Sequence, residues 1–168
     1  MLTFRLAALV ASIAALPSLA SADETELHGT YRLVSTTQRI VDTGQVETFT
    51  NENGFINYGR EGRMFVLIVR GNRPKAETIE KMTDQQRADL FRSMAAYTGT
   101  YRFDGKSVQH HIDASWNELW TGTTQVRYVK REGDKLILTT PPIARPQDGK
   151  KAVTTLVWEK TSLSPCRD

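Results

Sequence analysis

The chain has 168 residues, and only one of them is a cysteine, Cys166, the third residue from the C-terminus. No intrachain disulfide can form, so stability must come from packing and hydrogen bonding. Cys166 reads as a tail thiol, with pairing between chains as the alternative. Histidine is scarce at three residues, which leaves few soft ligands for a metal. No run of four basic residues occurs, and 22 Lys and Arg stand against 19 Asp and Glu for a net +3. The aromatics are not interleaved with Lys and Arg, so a nucleic-acid partner is not expected. A nucleophile elbow, an H-E-x-x-H pair, a phosphate-binding glycine loop and telling carboxylate pairs are all absent.

Long apolar runs are also lacking, with one exception at the start. MLTFRLAALVASIAALPSLASA carries Arg5, an apolar stretch from Leu6 to Leu16, Pro17 and then small residues. This is the pattern of a secretory signal peptide over residues 1–22. Its apolar core is about a dozen residues, short of the roughly twenty that span a bilayer. Ala20 and Ala22 form an A-x-A cleavage site, with cleavage after Ala20 as the close alternative. A periplasmic or secreted protein is expected, with no membrane span once the leader is removed. Residues 23–168 are then the size of one domain.

What fills that domain is a succession of short β-branched and aromatic runs separated by Gly, Asn and Asp. Strand and turn signals alternate at 29–41 and 46–49, 54–59 and 63–71, 100–104 and 107–113, 123–130 and 135–140, and finally 152–160. Eight to ten strands joined by tight turns predict an all-β fold, an antiparallel meander closed into an up-and-down barrel or a sandwich. One segment differs. Thr83 and Gln86 match a T-x-x-Q capping box, and Leu90, Phe91, Met94 and Ala95 recur at helical spacing. A single helix is predicted over 84–97, packed on the barrel or capping its mouth. In RMFVLIVRG, Met64, Val66 and Ile68 share one face and Phe65, Leu67 and Val69 the other. One face must line the barrel, and the other needs the helix or a second subunit to cover it.

GTYRLVS, the Tyr58 to Val66 block, GTYRFDGKSVQHHID, SWNELWTGTTQVRYV, GDKLILTTPP and TLVWEK resemble, in that order, the bacterial lipocalin-like domain proteins. The likeness runs from about Gly29 to Lys160. Tyr31 stands in GTYR where the barrel entrance of true lipocalins more often has tryptophan. The resemblance implies a small lipocalin-like barrel with an internal cavity, and it says much less about activity.

The stretch VQHHIDASWNELWTGTTQVRY holds the candidate site. On a strand, Val108, His110 and Ile112 share one face and His111 the other. The adjacent histidines therefore point apart and cannot chelate one ion, and no metal or cofactor is expected. The apolar neighbours of His110 place it inside. Trp116 and Trp120 fall in a turn, where they either stack on a ligand or seal the barrel end. For Arg127 the residues leave both orientations open, and the resemblance implies that Gln125 and Arg127 face inward. An inward guanidinium then needs a carboxylate from the protein or from a ligand.

Three readings follow. The favoured one is a binder of a small hydrophobic or amphipathic molecule, anionic if Arg127 is inside, with Tyr58, Phe65, Tyr101, His110, Trp120, Gln125 and Arg127 as contacts. The second is an isomerase or cyclase on the same barrel with His110 as acid and base. The third is a structural or interaction protein whose interior is filled.

Overall fold

A computed structural model of the chain describes residues 24–145 and 148–161. The leader expected over residues 1–22 and Cys166 both lie outside the described residues. After a 3-10 turn at Glu24–Leu27, the strands are β1 (Gly29–Ile40), β2 (Val46–Phe49), β3 (Glu52–Tyr58) and β4 (Arg63–Arg70). Helix α1 (Asp84–Arg92) is followed by β5 (Met94–Phe103), β6 (Ser107–Ser115), a 3-10 turn at Glu118–Trp120, β7 (Thr124–Glu132) and β8 (Lys135–Thr139). A two-residue β9 (Ile143–Ala144) and β10 (Lys151–Lys160) complete it.

The sheet runs in the order β2-β1-β3-β4-β5-β6-β7-β8-β10-β9, and β10 returns to pair with β1. Eight strands thus close an antiparallel barrel, with β2 and β9 as short flaps at one rim. From Tyr31↔Lys160 to Ile40↔Ala152 the closing ladder is continuous except for a bulge between Leu33 and Ser35. Closure removes the exposed edges that short strands would otherwise present. The hairpins form where the turn signals stand. Gly62, for example, has φ +78, a backbone conformation that glycine adopts without penalty.

Alternation decides what is inside. Tyr31 and Leu33, Ile56 and Tyr58, Met64 and Val66, Tyr101 and Phe103, Val108 and Ile112, Leu136 and Leu138, and Trp158 are buried and form one core. Each such side chain removed from water contributes about 1.5–3 kcal/mol. At one end the turn at Glu24–Leu27 meets the barrel, and Leu27 is fully buried in the core. There the Tyr31 hydroxyl donates to the Leu27 carbonyl at 3.1 Å, and Arg131 lies over the Tyr31 ring at 5.7 Å and bonds the Glu26 carbonyl. Tyr31 therefore closes the floor although it is not a tryptophan.

Two expectations are corrected. The helix ends at Arg92 rather than at Tyr97, because Met94 to Tyr97 pair with Val69 to Val66 of β4. Completing the edge of β4 outweighs the helix propensity of MAAY, as tertiary context commonly does. The capping box itself is formed, with Thr83 and Gln86 each bonding the other's backbone N–H. The helix buries no residue and does not cover the outer face of β4, so Phe55, Phe65 and Leu67 remain exposed.

Candidate functional site

The interior above the packed floor is hollow. A cavity of about 430 Å³ opens at the rim that carries α1, the Trp116–Trp120 turn and β9. Its walls are mainly apolar, with Ile56, Val66, Ile68, Leu138 and Leu156 among them. That volume lies within the range of small-molecule sites.

Strands β5, β6 and β7 place Tyr97, His110 and Arg127 side by side on the inner wall. His110 is fully buried. Its Nε2 is 2.9 Å from the Tyr58 hydroxyl and its Nδ1 is 3.1 Å from the Tyr97 hydroxyl. Burial, with the nearby charge of Arg127 as the lesser cause, holds the His110 pKa well below its ordinary value. The ring is therefore neutral at neutral pH, with one donor nitrogen and one acceptor. Burial also pushes the Tyr58 pKa well up. It raises that of Tyr97 too, against the opposing charge of and hydrogen bonding to Arg127.

One arrangement of protons gives the Tyr58 hydrogen and both ring nitrogens of His110 a partner within the wall. The only polar partner of the Tyr58 hydroxyl among the described residues is His110, so Tyr58 donates to Nε2. Nδ1–H then donates to the Tyr97 oxygen. Arg127, which can only donate, stands near the same hydroxyl and opposes the rise in its pKa. The Tyr97 hydrogen is left to point into the cavity, beside the guanidinium.

Arg127 is itself 6% exposed. Nη1 donates to the Val126 carbonyl at 2.8 Å, and among the described residues it joins no ion pair. Arg145 at the rim is the opposite case, gripped by Glu47 at 2.7 Å, by Asp148 and by the Gln38 side chain at 3.1 Å. These bonds raise its pKa further, the one to Asp148 most, and tie β2 to the segment after β9. Rings form a stair from the interior to the rim. Tyr97 meets Trp120 edge-on at 5.8 Å, Trp120 meets Trp116 at 4.8 Å, and Trp116 lies 6.4 Å from Phe91 of α1.

The structure brings His110, Arg127 and Trp120 to the cavity wall. Tyr58 stands one step behind, bonded to His110 and packed edge-on against Tyr101 at 4.8 Å. Tyr101 is buried but bonds the Gly59 carbonyl at 3.0 Å, which draws it to the floor. Gln125 is half-buried and bonds Thr123 at 3.2 Å. Phe65 is a correction. It is 46% exposed on the outer face, because strand alternation turns Met64 and Val66 inward instead. His111 is exposed, as the alternation predicts. Tyr97 was missed because it fell in the expected helix. Counting back by twos from Tyr101 would have placed it inside.

Among the described residues no three His, Cys, Asp or Glu side chains gather to hold a metal ion, and no helix is long and apolar enough to cross a membrane. Residues 28–161 match the model of a family described as a lipocalin-like domain. No curated protein matches the chain.

Proposed function

The chain belongs to the lipocalin-like domain family, and from that premise we propose that it is an exported barrel that holds a small, largely apolar, anionic molecule in its cavity. One observation carries this reading. Arg127 is buried on the cavity wall without a carboxylate among the described residues. A charge withdrawn from water is costly unless a partner meets it, and a bound acid supplies that partner. Tyr97 adds a second donor beside it, and the apolar walls take the rest of the molecule. Export rests on the leader-like first 22 residues.

The isomerase or cyclase reading has one observation in its favour, a neutral His110 bonded to a tyrosine that faces the cavity. Against it, both ring nitrogens are already engaged, so proton transfer to a substrate would have to pass through Tyr97. Binding asks for no such rearrangement.

Native mass spectrometry of the gently purified mature protein tests the binding reading. A co-purifying acid that is lost in Arg127→Met supports it. An apo mass, together with no thermal shift across fatty acids, isoprenoid acids and aromatic acids, sinks it. Sequencing the N-terminus of the cell-derived protein tests export, and a chain that still begins at Met1 ends that part of the proposal.

A further inference from the structure

Three buried side-chain atoms have no hydrogen-bond partner among the described residues: Thr36 Oγ1, Glu52 Oε2 and Trp158 Nε1. All three residues line the cavity. Thr36 and Trp158 are 6% and 1% exposed, and the Glu52 side chain is 8% exposed. Buried polar atoms are nearly always satisfied, so three orphans facing one cavity ask what would satisfy them there.

Their positions are not scattered. Trp158 lies on β10, Thr36 on β1 and Glu52 on β3, three neighbouring strands. In the register of β1 with β10, Leu33 faces Trp158 and Thr36 faces Leu156, so the two orphans of those strands are one pleat repeat and one strand apart. Around the closed barrel, β6 is four strands from β1 in either direction. The orphan wall is therefore opposite the wall of Tyr97, His110 and Arg127, with apolar side chains between.

The chemistry of the two walls differs. Tyr97 and Arg127 present donors and a positive charge. Opposite them, Trp158 N–H can only donate, the second oxygen of Glu52 can only accept when ionised, and the Thr36 hydroxyl can do either. Arg70 lies 3.6 Å from the other Glu52 oxygen and leaves Oε2 unserved. A second carboxylate on the ligand would be repelled by Glu52, and an ammonium could not accept from Trp158. A hydroxyl does both at one atom.

We propose that the ligand is an amphipathic hydroxy acid bound across the barrel. Its acid group meets Arg127 and Tyr97, its apolar frame lies along Val66, Ile68, Leu138 and Leu156, and its hydroxyl sits among Trp158, Thr36 and Glu52. This rests on the anionic-ligand reading above and adds the second pole.

Titration calorimetry with omega-hydroxydecanoic acid, decanoic acid and decanol tests both poles separately. The hydroxy acid is expected to bind about tenfold more tightly than decanoic acid, the yield of one well-made hydrogen bond. Thr36→Val, nearly the same shape, and Trp158→Phe should each shrink the ratio of the two affinities, the hydroxy acid losing more than decanoic acid does in the same variant. Arg127→Met should weaken both acids alike and leave decanol unchanged. Equal affinity of the two acids for the native protein, or an advantage that survives both Thr36→Val and Trp158→Phe, overturns the hydroxyl pole and means that water serves the three atoms. If acids bind but ignore Arg127→Met, the anionic reading fails and the hydroxyl result stands on its own. If neither acid binds, both fall.

Discussion

The Tyr58 hydroxyl lies 2.9 Å from Nε2 of a histidine, His110, that solvent does not reach. In that setting the imidazole stays neutral well below its ordinary pKa, mainly through burial. The unfolded chain releases the same ring to an ordinary value near 6.5. Below that point the unfolded state takes up a proton that the folded state refuses, so stability is lost as pH falls. The slope should approach about 1.4 kcal/mol per pH unit. Urea unfolding between pH about 7.5 and about 5 should show this slope in the native protein, and His110→Gln should flatten it. Equal slopes in the two would mean that His110 is not held neutral.

Arg127→Met removes a buried charge that has no acidic partner among the described residues. Without ligand, the variant should be as stable as the native protein or more so, by up to about 2 kcal/mol. Its affinity for acidic ligands should fall about ten- to a hundredfold, the share expected of hydrogen bonds to a charged group. A large loss of apo stability would show that Arg127 serves the fold.

Phe65→Thr separates the outer face from the inner one. The side chain stands on the outside of β4, and threonine suits a strand. Ligand affinity should stay within about twofold, as for a substitution away from the site. A larger change measured by the same calorimetry would contradict the outward orientation.

Gly99→Ala probes a close approach between strands. An added Cβ would stand 1.8 Å from the His111 carbonyl oxygen, at the bulge where the register of β5 and β6 shifts. Backbone cannot yield as a flexible side chain does, so the cost should be about 3 kcal/mol or more. Thermal unfolding reads it directly, and an unchanged midpoint would mean that the two strands sit farther apart.

Arg145→Ala should loosen the rim without loosening the barrel. The bonds to Glu47 and Asp148 hold β2 against the segment after β9, and neither flap is needed for closure. Amide exchange should quicken at Val46–Phe49 and Ile143–Ala144 while the strands of the core keep their protection. Uniform acceleration would show that the flaps are part of the cooperative unit.

The strands were legible in the sequence because period-2 patterns and turn glycines are local signals. β2 falls on the predicted residues 46–49, and the inward face of β6 follows from Val108, His110 and Ile112 alone. What local pattern could not supply was the partner across the sheet. Met94 to Tyr97 look helical until β4 is seen to need an edge, and with them went Tyr97, the residue that bonds His110 on the cavity wall. Thr36, Glu52 and Trp158 carried no signal either, since a threonine, a glutamate and a tryptophan on strands are ordinary until a closed barrel brings them to one wall. Tyr58 and Tyr101 read as ligand contacts in the sequence; they are buried, but their hydroxyls are taken up by His110 and by Gly59, and only three-dimensional contact reveals that.

The ladder between β1 and β10 sets a condition on the order of folding. Hairpins β3 with β4, β5 with β6 and β7 with β8 are local and can form as soon as their residues are free. The seam from Tyr31 to Ile40 with Lys160 to Ala152 joins strands more than a hundred positions apart, so its loop entropy is met only at the end. Until the seam zips, Leu33 and Trp158, which face each other across it, lie at two open margins. The cavity, with a guanidinium that meets no carboxylate among the described residues, comes into being in that same late event, and an occupant that binds there would slow unfolding rather than hasten folding.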